Sequence, residues 1–252
     1  MSAKALNIIS ASRRTDIPAF YMPWLMNRLQ MGCASYPNPF SGQVHTVSLQ
    51  SNDVHSIVFW SKNYGRFLPY LDEIVERGYR FYFHYTITGV LRRLEPHVPD
   101  WQQSVQVFRV LAERTSPCHL QWRFDPVLFT HESGAEFYIE RFRSIATALV
   151  GATRRCYFSF AIFYDKVKRQ LQQAGIRFRE PSLEEKQALV QAMADGRIGS
   201  IAELRRIVRR SLPPRVYEPA PSERWDEAYA RLVRVKAQGS CIDSPGNPVA
   251  QR

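Results

Sequence analysis

The chain has 252 residues, of which 45% are hydrophobic, 13% aromatic and 23% charged, a make-up that excludes disordered and fibrous classes and is long enough for an α/β domain with its own core. No apolar run reaches the about 18 to 20 residues a membrane helix needs, and the start, MSAKALNIISASRRTD, has no apolar signal stretch, so a cytoplasmic protein without a membrane partner is expected. A formal net charge of +11 favours anionic partners and says nothing of fold or reaction.

In chain order, β-branched and aromatic runs alternate with helical patterns. KALNIISAS, HSIVFWSKN, YRFYFHYTITG, HLQWRFDPV and CYFSFAIFYD read as strands, with helices at about 19–31, 66–77, 100–114 and 135–150 between them. Each helix is long enough for a crossover, so the pattern predicts a parallel sheet of βα units. QVHTVSLQ stands too close to the next strand for a crossover and is expected to pair antiparallel or at an edge. The helices DKVKRQLQQAG and SLEEKQALVQAMA close the body, the second opened by Ser182 and Glu185 in capping-box spacing.

Near residue 194 the composition changes. All 15 phenylalanines precede this point, and only Tyr217, Trp225 and Tyr229 follow it among aromatic residues. The expected organisation is therefore a barrel-like domain over 1–194 and a basic, Pro-rich, partly helical appendage over 195–252. In LRRIVRR, Leu204, Ile207 and Val208 share one helical face and Arg205, Arg206, Arg209 and Arg210 another, a pattern suited to nucleic acid or to a solvated surface. The last parallel strand, CYFSFAIF, is expected to leave an open edge, covered by these tail helices or by the helix at 183–194.

Strand faces separate two possible sheets. Phe81, Phe83, Tyr85 and Ile87 alternate with Tyr82, His84, Thr86 and Thr88, and Leu120, Trp122 and Phe124 with Gln121, Arg123 and Asp125. A doubly wound sheet is apolar on both faces, whereas a barrel tolerates polar groups inside near the strand ends. A partial (β/α) barrel of parallel strands is the expected fold, with its site at the carboxyl ends of the strands.

Those ends carry Ser12, Arg13, Arg14, Thr15 and Asp16; Ser61, Lys62 and Asn63; Thr86 and Thr88; Arg123 and Asp125; Tyr164 and Asp165. Arg13, Arg14, Lys62, Asn63 and Arg123 are the candidate binding residues for an anionic small molecule or nucleotide, because guanidinium forks match phosphate and carboxylate geometry. Asp16 and Asp125 are the candidate acid/base residues. The alternative for each is structural: Arg123 pairs with Asp125 two residues on, and Asp16 caps the following helix. His84 is either an acid/base group or a hydrogen-bonded interior histidine. Ser10, Ser12 and Ser159 lack a nucleophile elbow, and no Gly-rich phosphate loop is present. Cys33, Cys118, Cys156 and Cys241 are scattered, never as CxxC, so no metal or cofactor site is expected in this chain and all four are expected to be thiols.

In order and spacing, the segments ISASRRTDIPAFY, NPF followed by VSL, IVFWSKN, YRFYFHYTITG with LEPHVP, QWRFDPV, and SFAIFYDKVKRQL ahead of PSLEEK resemble the bacterial family called domain of unknown function 1848, over about residues 5–194. The resemblance implies a barrel similar to that of radical S-adenosylmethionine enzymes. It also implies, in full-length relatives, a terminal cysteine cluster for an iron–sulfur cluster and S-adenosylmethionine. Here only Cys241 stands in the matching region, and one thiolate cannot hold a four-iron cluster. Truncation or an altered reading frame near residue 194 and a divergent tail are the two explanations. The expected function is an enzyme-like barrel with a cationic strand-end cleft; a nucleic-acid-binding protein and an inactive truncated family member are the alternatives.

Overall fold

The computed structural model describes residues 6–11, 15–38 and 40–195. Five parallel strands form the main sheet: β1 (Asn7–Ser10), β4 (Val54–Ser61), β5 (Phe81–Thr86), β6 (Leu120–Val127) and β7 (Cys156–Phe160), side by side in chain order. That order never reverses, so the sheet lacks the switch point of a doubly wound fold. It curls into a half-barrel, as the strand faces predict.

The helices explain why one face is greasy. They are α1 (Ile17–Phe20), α2 (Met22–Met31), α3 (Leu71–Glu76), α4 (Trp101–Arg114) and α5 (Ala135–Ala148). Met22, Leu25, Met26 and Leu29 make the buried stripe of α2; Val105, Phe108, Leu111 and Ala112 make that of α4; Tyr138, Phe142, Ile145 and Ala146 make that of α5. These spacings of three and four place each set on one side of its helix. They pack against Ile57, Phe59, Phe81, Phe83, Tyr85, Leu120, Trp122 and Phe124, which alternation puts on one side of the sheet. Tyr82, His84 and Gln121 point the other way, to the inner face, and are buried too.

The expected helix at 19–31 is two helices. Pro18 and Pro23 stand in the first turns of α1 and α2, and Tyr21 between them leaves helical backbone at φ −129°; a proline lacks the N–H that a continuing helix needs. α2 ends at Gly32, whose φ of 71° is left-handed. The strand expected to run to Asp165 stops at Phe160, and Asp165 opens α6 (Asp165–Gln173).

QVHTVSLQ follows the antiparallel expectation. Its core, β3 (Val44–Ser48), does pair antiparallel, with β2 (Cys33–Pro37) and apart from the main sheet. β2 went unread because CASYP is short, small and half exposed, with no apolar alternation to mark it. Ser35 and Thr46 share a hydroxyl hydrogen bond of 2.8 Å across the pair.

Past β6, residues 129–131 and 177–179 meet edge to edge: the His131 N–H donates to the Arg177 carbonyl and the Arg179 N–H to the Phe129 carbonyl. The chain then enters α7 (Leu183–Asp195), which buries Leu189, Val190 and Met193 in the core and lays Lys186 over the Phe160 ring at 5.8 Å. Of the two covers expected for the β7 side, the helix at 183–194 meets it through this Lys186–Phe160 contact. The tail helices around Leu204 and Tyr229 lie outside the described residues, as does the appendage past Asp195.

The entry to α7 is a capping box. The Glu185 N–H donates to Ser182 Oγ, the Ser182 N–H donates to Glu185, and Arg179 grips the same carboxylate with two bonds of 2.6 and 2.7 Å. The Arg179 fork, and then the Ser182 N–H, lower the Glu185 pKa from 4.5 to about 2. A carboxylate with a depressed folded pKa contributes stability above its unfolded value and loses it on protonation. The first-turn amides of α7 are therefore expected to lose exchange protection as the pH falls from 4.5 toward 2. Protection that stays flat relative to α4 across that window would refute this role.

Candidate functional site

The polar inner face is organised in rows that run across the strands. Trp60, His84 and Gln121 are register partners in one row; Thr86, Arg123 and Tyr157 are partners in the next, nearer the carboxyl ends. Lys62, one residue past Ser61 and its partner Tyr85, extends that second row onto β4. Strand alternation alone dictates these neighbours.

Aromatic stacking fixes the middle of the face. The Trp60 and His84 rings stack at 3.9 Å and 17°, with Tyr82 and Tyr157 at 5.5 and 5.6 Å from His84. On the ring of Trp60 lies the Arg123 guanidinium, 4.9 Å from its centroid, in cation–π geometry. Arg123 also forks onto Asp125, donating from Nε to Oδ1 at 3.0 Å and from Nη2 to Oδ2. The two side chains are 25% and 12% exposed, so the pair is mostly dry. Among the described residues no acceptor meets Nη1 of Arg123, which leaves donor capacity on that side.

Lys62 pairs with Glu95 from the loop after β5. Sequence reasoning missed Glu95, because nothing in LEPHVP carries a period or a motif that would aim it at a lysine 33 residues earlier. Trp60 was missed as well; it reads as one aromatic residue of an apolar run until register places it under Arg123.

Asp16 sits elsewhere. It is the N-cap of α1, accepting from the Ala19 N–H at 3.0 Å, and it accepts from the Ser61 hydroxyl at 2.8 Å. Ser61 belongs to the helix-covered side of β4, so Asp16 ties α1 to that strand end and is not in the Arg123–Asp125 group. Burial raises its pKa, opposed by the bonds from Ser61, Ala19 and Lys62. Asn63 folds back on its own loop, accepting from the Gly65 N–H at 3.0 Å. Arg13 and Arg14 lie outside the described residues, as does the Arg205–Arg210 face.

The cysteines do not fit a cluster. Cys156 is buried in β7, and that burial pushes its thiol pKa well up. Cys33 is on the separate β2–β3 pair. Cys241 lies outside the described residues. Among those residues no group of three or more His, Cys, Asp and Glu is placed to hold a metal ion, and none of their helices is long and apolar enough to cross a membrane.

A parallel half-barrel with charged pairs at its strand ends defines the architectural class. Within it, the chain belongs to the family described as domain of unknown function (DUF1848), whose model matches residues 8–204. No curated protein and no solved structure matches it.

Proposed function

We propose that the strand ends of the inner face form the binding site of an enzyme-like domain for an anionic small molecule or nucleotide. The observation that carries this reading is Arg123, pinned over Trp60 and forked by Asp125 with Nη1 uncommitted, in one row with Thr86 and next to the Lys62–Glu95 pair. A guanidinium held on two sides is pre-organised, so an arriving anion gains a charge-assisted bond without ordering a long side chain. Asp125 stands beside any group so bound and is the proton-handling candidate; Asp16 serves that role only through Ser61 and α1.

Calorimetric titration of the full chain with adenosine monophosphate and with citrate tests the proposal. Binding of at least one is expected, weakened about tenfold or more by Arg123→Gln, the equivalent of one charge-assisted hydrogen bond. If neither binds while a single-stranded oligonucleotide does, with affinity that falls steeply in salt and ignores sequence, the chain is a nucleic-acid binder driven by its net charge.

A further inference from the structure

We infer that the cavity between the end of β5, the first turn of α4 and Arg141 of α5 is a carboxylate-binding pocket, anchored by Arg141. The inference rests on the strand-end reading, since the cavity shares Thr86 and Glu95 with that site, and it adds the chemical class of the group held there.

The cavity has a volume of about 350 Å³ and is lined by the run from Thr86 to Arg92, by Glu95 and the loop to Trp101, and by Ser104 and Arg141. Its charges are nearly all spent. Arg92 donates to the Val98 carbonyl and meets Asp100 at 3.3 Å, and Glu95 is taken by Lys62. Arg141 differs, because among the described residues no carboxylate or other acceptor meets its guanidinium. Its guanidinium lies over two rings, 5.4 Å from the Trp101 centroid and 5.3 Å from that of Phe137. Such a contact fixes the position of the planar fork while leaving its N–H edges unspent.

The backbone makes room for this. A Cβ on Gly89 would stand 2.5 Å from Cδ and 2.9 Å from Cγ of Arg141, and Gly89 has a φ of +59°, so only glycine lets the arginine cross the chain there. Thr88, beside it, is 4% exposed and lines the cavity.

A guanidinium that meets no carboxylate among the described residues, beside two carboxylates already paired, suits a single negative charge with two oxygens in a plane. A phosphate dianion would need further cations and would sit against Glu95 and Asp100. The pocket therefore takes the carboxylate end of a small organic acid.

The test uses the full 15N-labelled chain and follows the arginine Nε–Hε signals during titration with sodium acetate, with sodium phosphate in parallel and sodium chloride at equal ionic strength as baseline. Acetate is expected to shift the Arg141 signal saturably. Arg141→Lys, which keeps the charge and loses the fork, is expected to weaken acetate binding about tenfold, read from the amides of Thr88 and Gly89. Arg141→Gln is expected to abolish it. No saturable shift in the unmodified chain, an unchanged response in Arg141→Gln, or tighter binding of phosphate than of acetate overturns the inference. Failure of the strand-end reading alone would instead show as nucleotide and citrate titrations indifferent to Arg123→Gln, with the acetate shift still deciding the pocket.

Discussion

Trp122→Ala is expected to cost about 4 kcal/mol of folding stability, the range for emptying a fully buried tryptophan site. Trp122 is fully buried at the centre of β6, stacks on Phe142 at 5.0 Å, packs edge-on to Phe124 at 5.7 Å, and donates its indole N–H to the Ile87 carbonyl at 2.9 Å. The substitution removes a wall shared by the sheet and α5 and leaves the Ile87 carbonyl without its partner. For a domain of this size the melting temperature should drop by roughly 10 °C. Trp122→Phe keeps most of the packing and should cost only about 1 to 2 kcal/mol. Chemical denaturation of both variants measures the difference, and equal losses would show that the hydrogen bond, and not the volume, dominates.

The second large effect is expected at Asp125. Removing one partner of a mostly dry ion pair strands the other charge, so Asp125→Ala should cost about 3 kcal/mol. Replacing both, as Arg123→Met with Asp125→Leu, removes the stranded charge and should be less costly than Asp125→Ala alone, although it abolishes any anion binding that depends on Arg123. A double-mutant cycle isolates the coupling. Additive losses would mean that the fork contributes nothing to stability. The position of Arg123 over Trp60 adds a packing loss to any change at the arginine, so the cycle needs Arg123→Met, which retains the stem, in place of alanine.

These variants also separate structure from function in a way the Asp16 cap cannot. Asp16 spends its carboxylate on Ala19, Ser61 and the backbone of Lys62, so its loss perturbs α1 and the end of β4 whatever chemistry occurs nearby. The Asp125 carboxylate is forked by the arginine that is itself the candidate ligand group.

The sequence by itself determined the alternation of strands and crossover helices, the parallel sheet, the greasy outer face and the polar inner one. It also located Lys62, Arg123 and Asp125 at the strand ends. All of these follow from short-range periods, two along a strand and about 3.6 along a helix, which each segment carries locally. The Arg123–Asp125 fork was legible for the same reason, being two residues apart on one face. What only the tertiary structure decided depends on where separate segments arrive. Lys62 meets Glu95, Arg123 settles on Trp60, and Arg141 crosses Gly89, each joining elements whose spacing is set by packing across the sheet. The β2–β3 pair belongs with these, since its hydrogen bonds come from two short polar runs that show no pattern until they lie side by side. Local periods say which face a side chain takes; they hold no record of which distant side chain waits there.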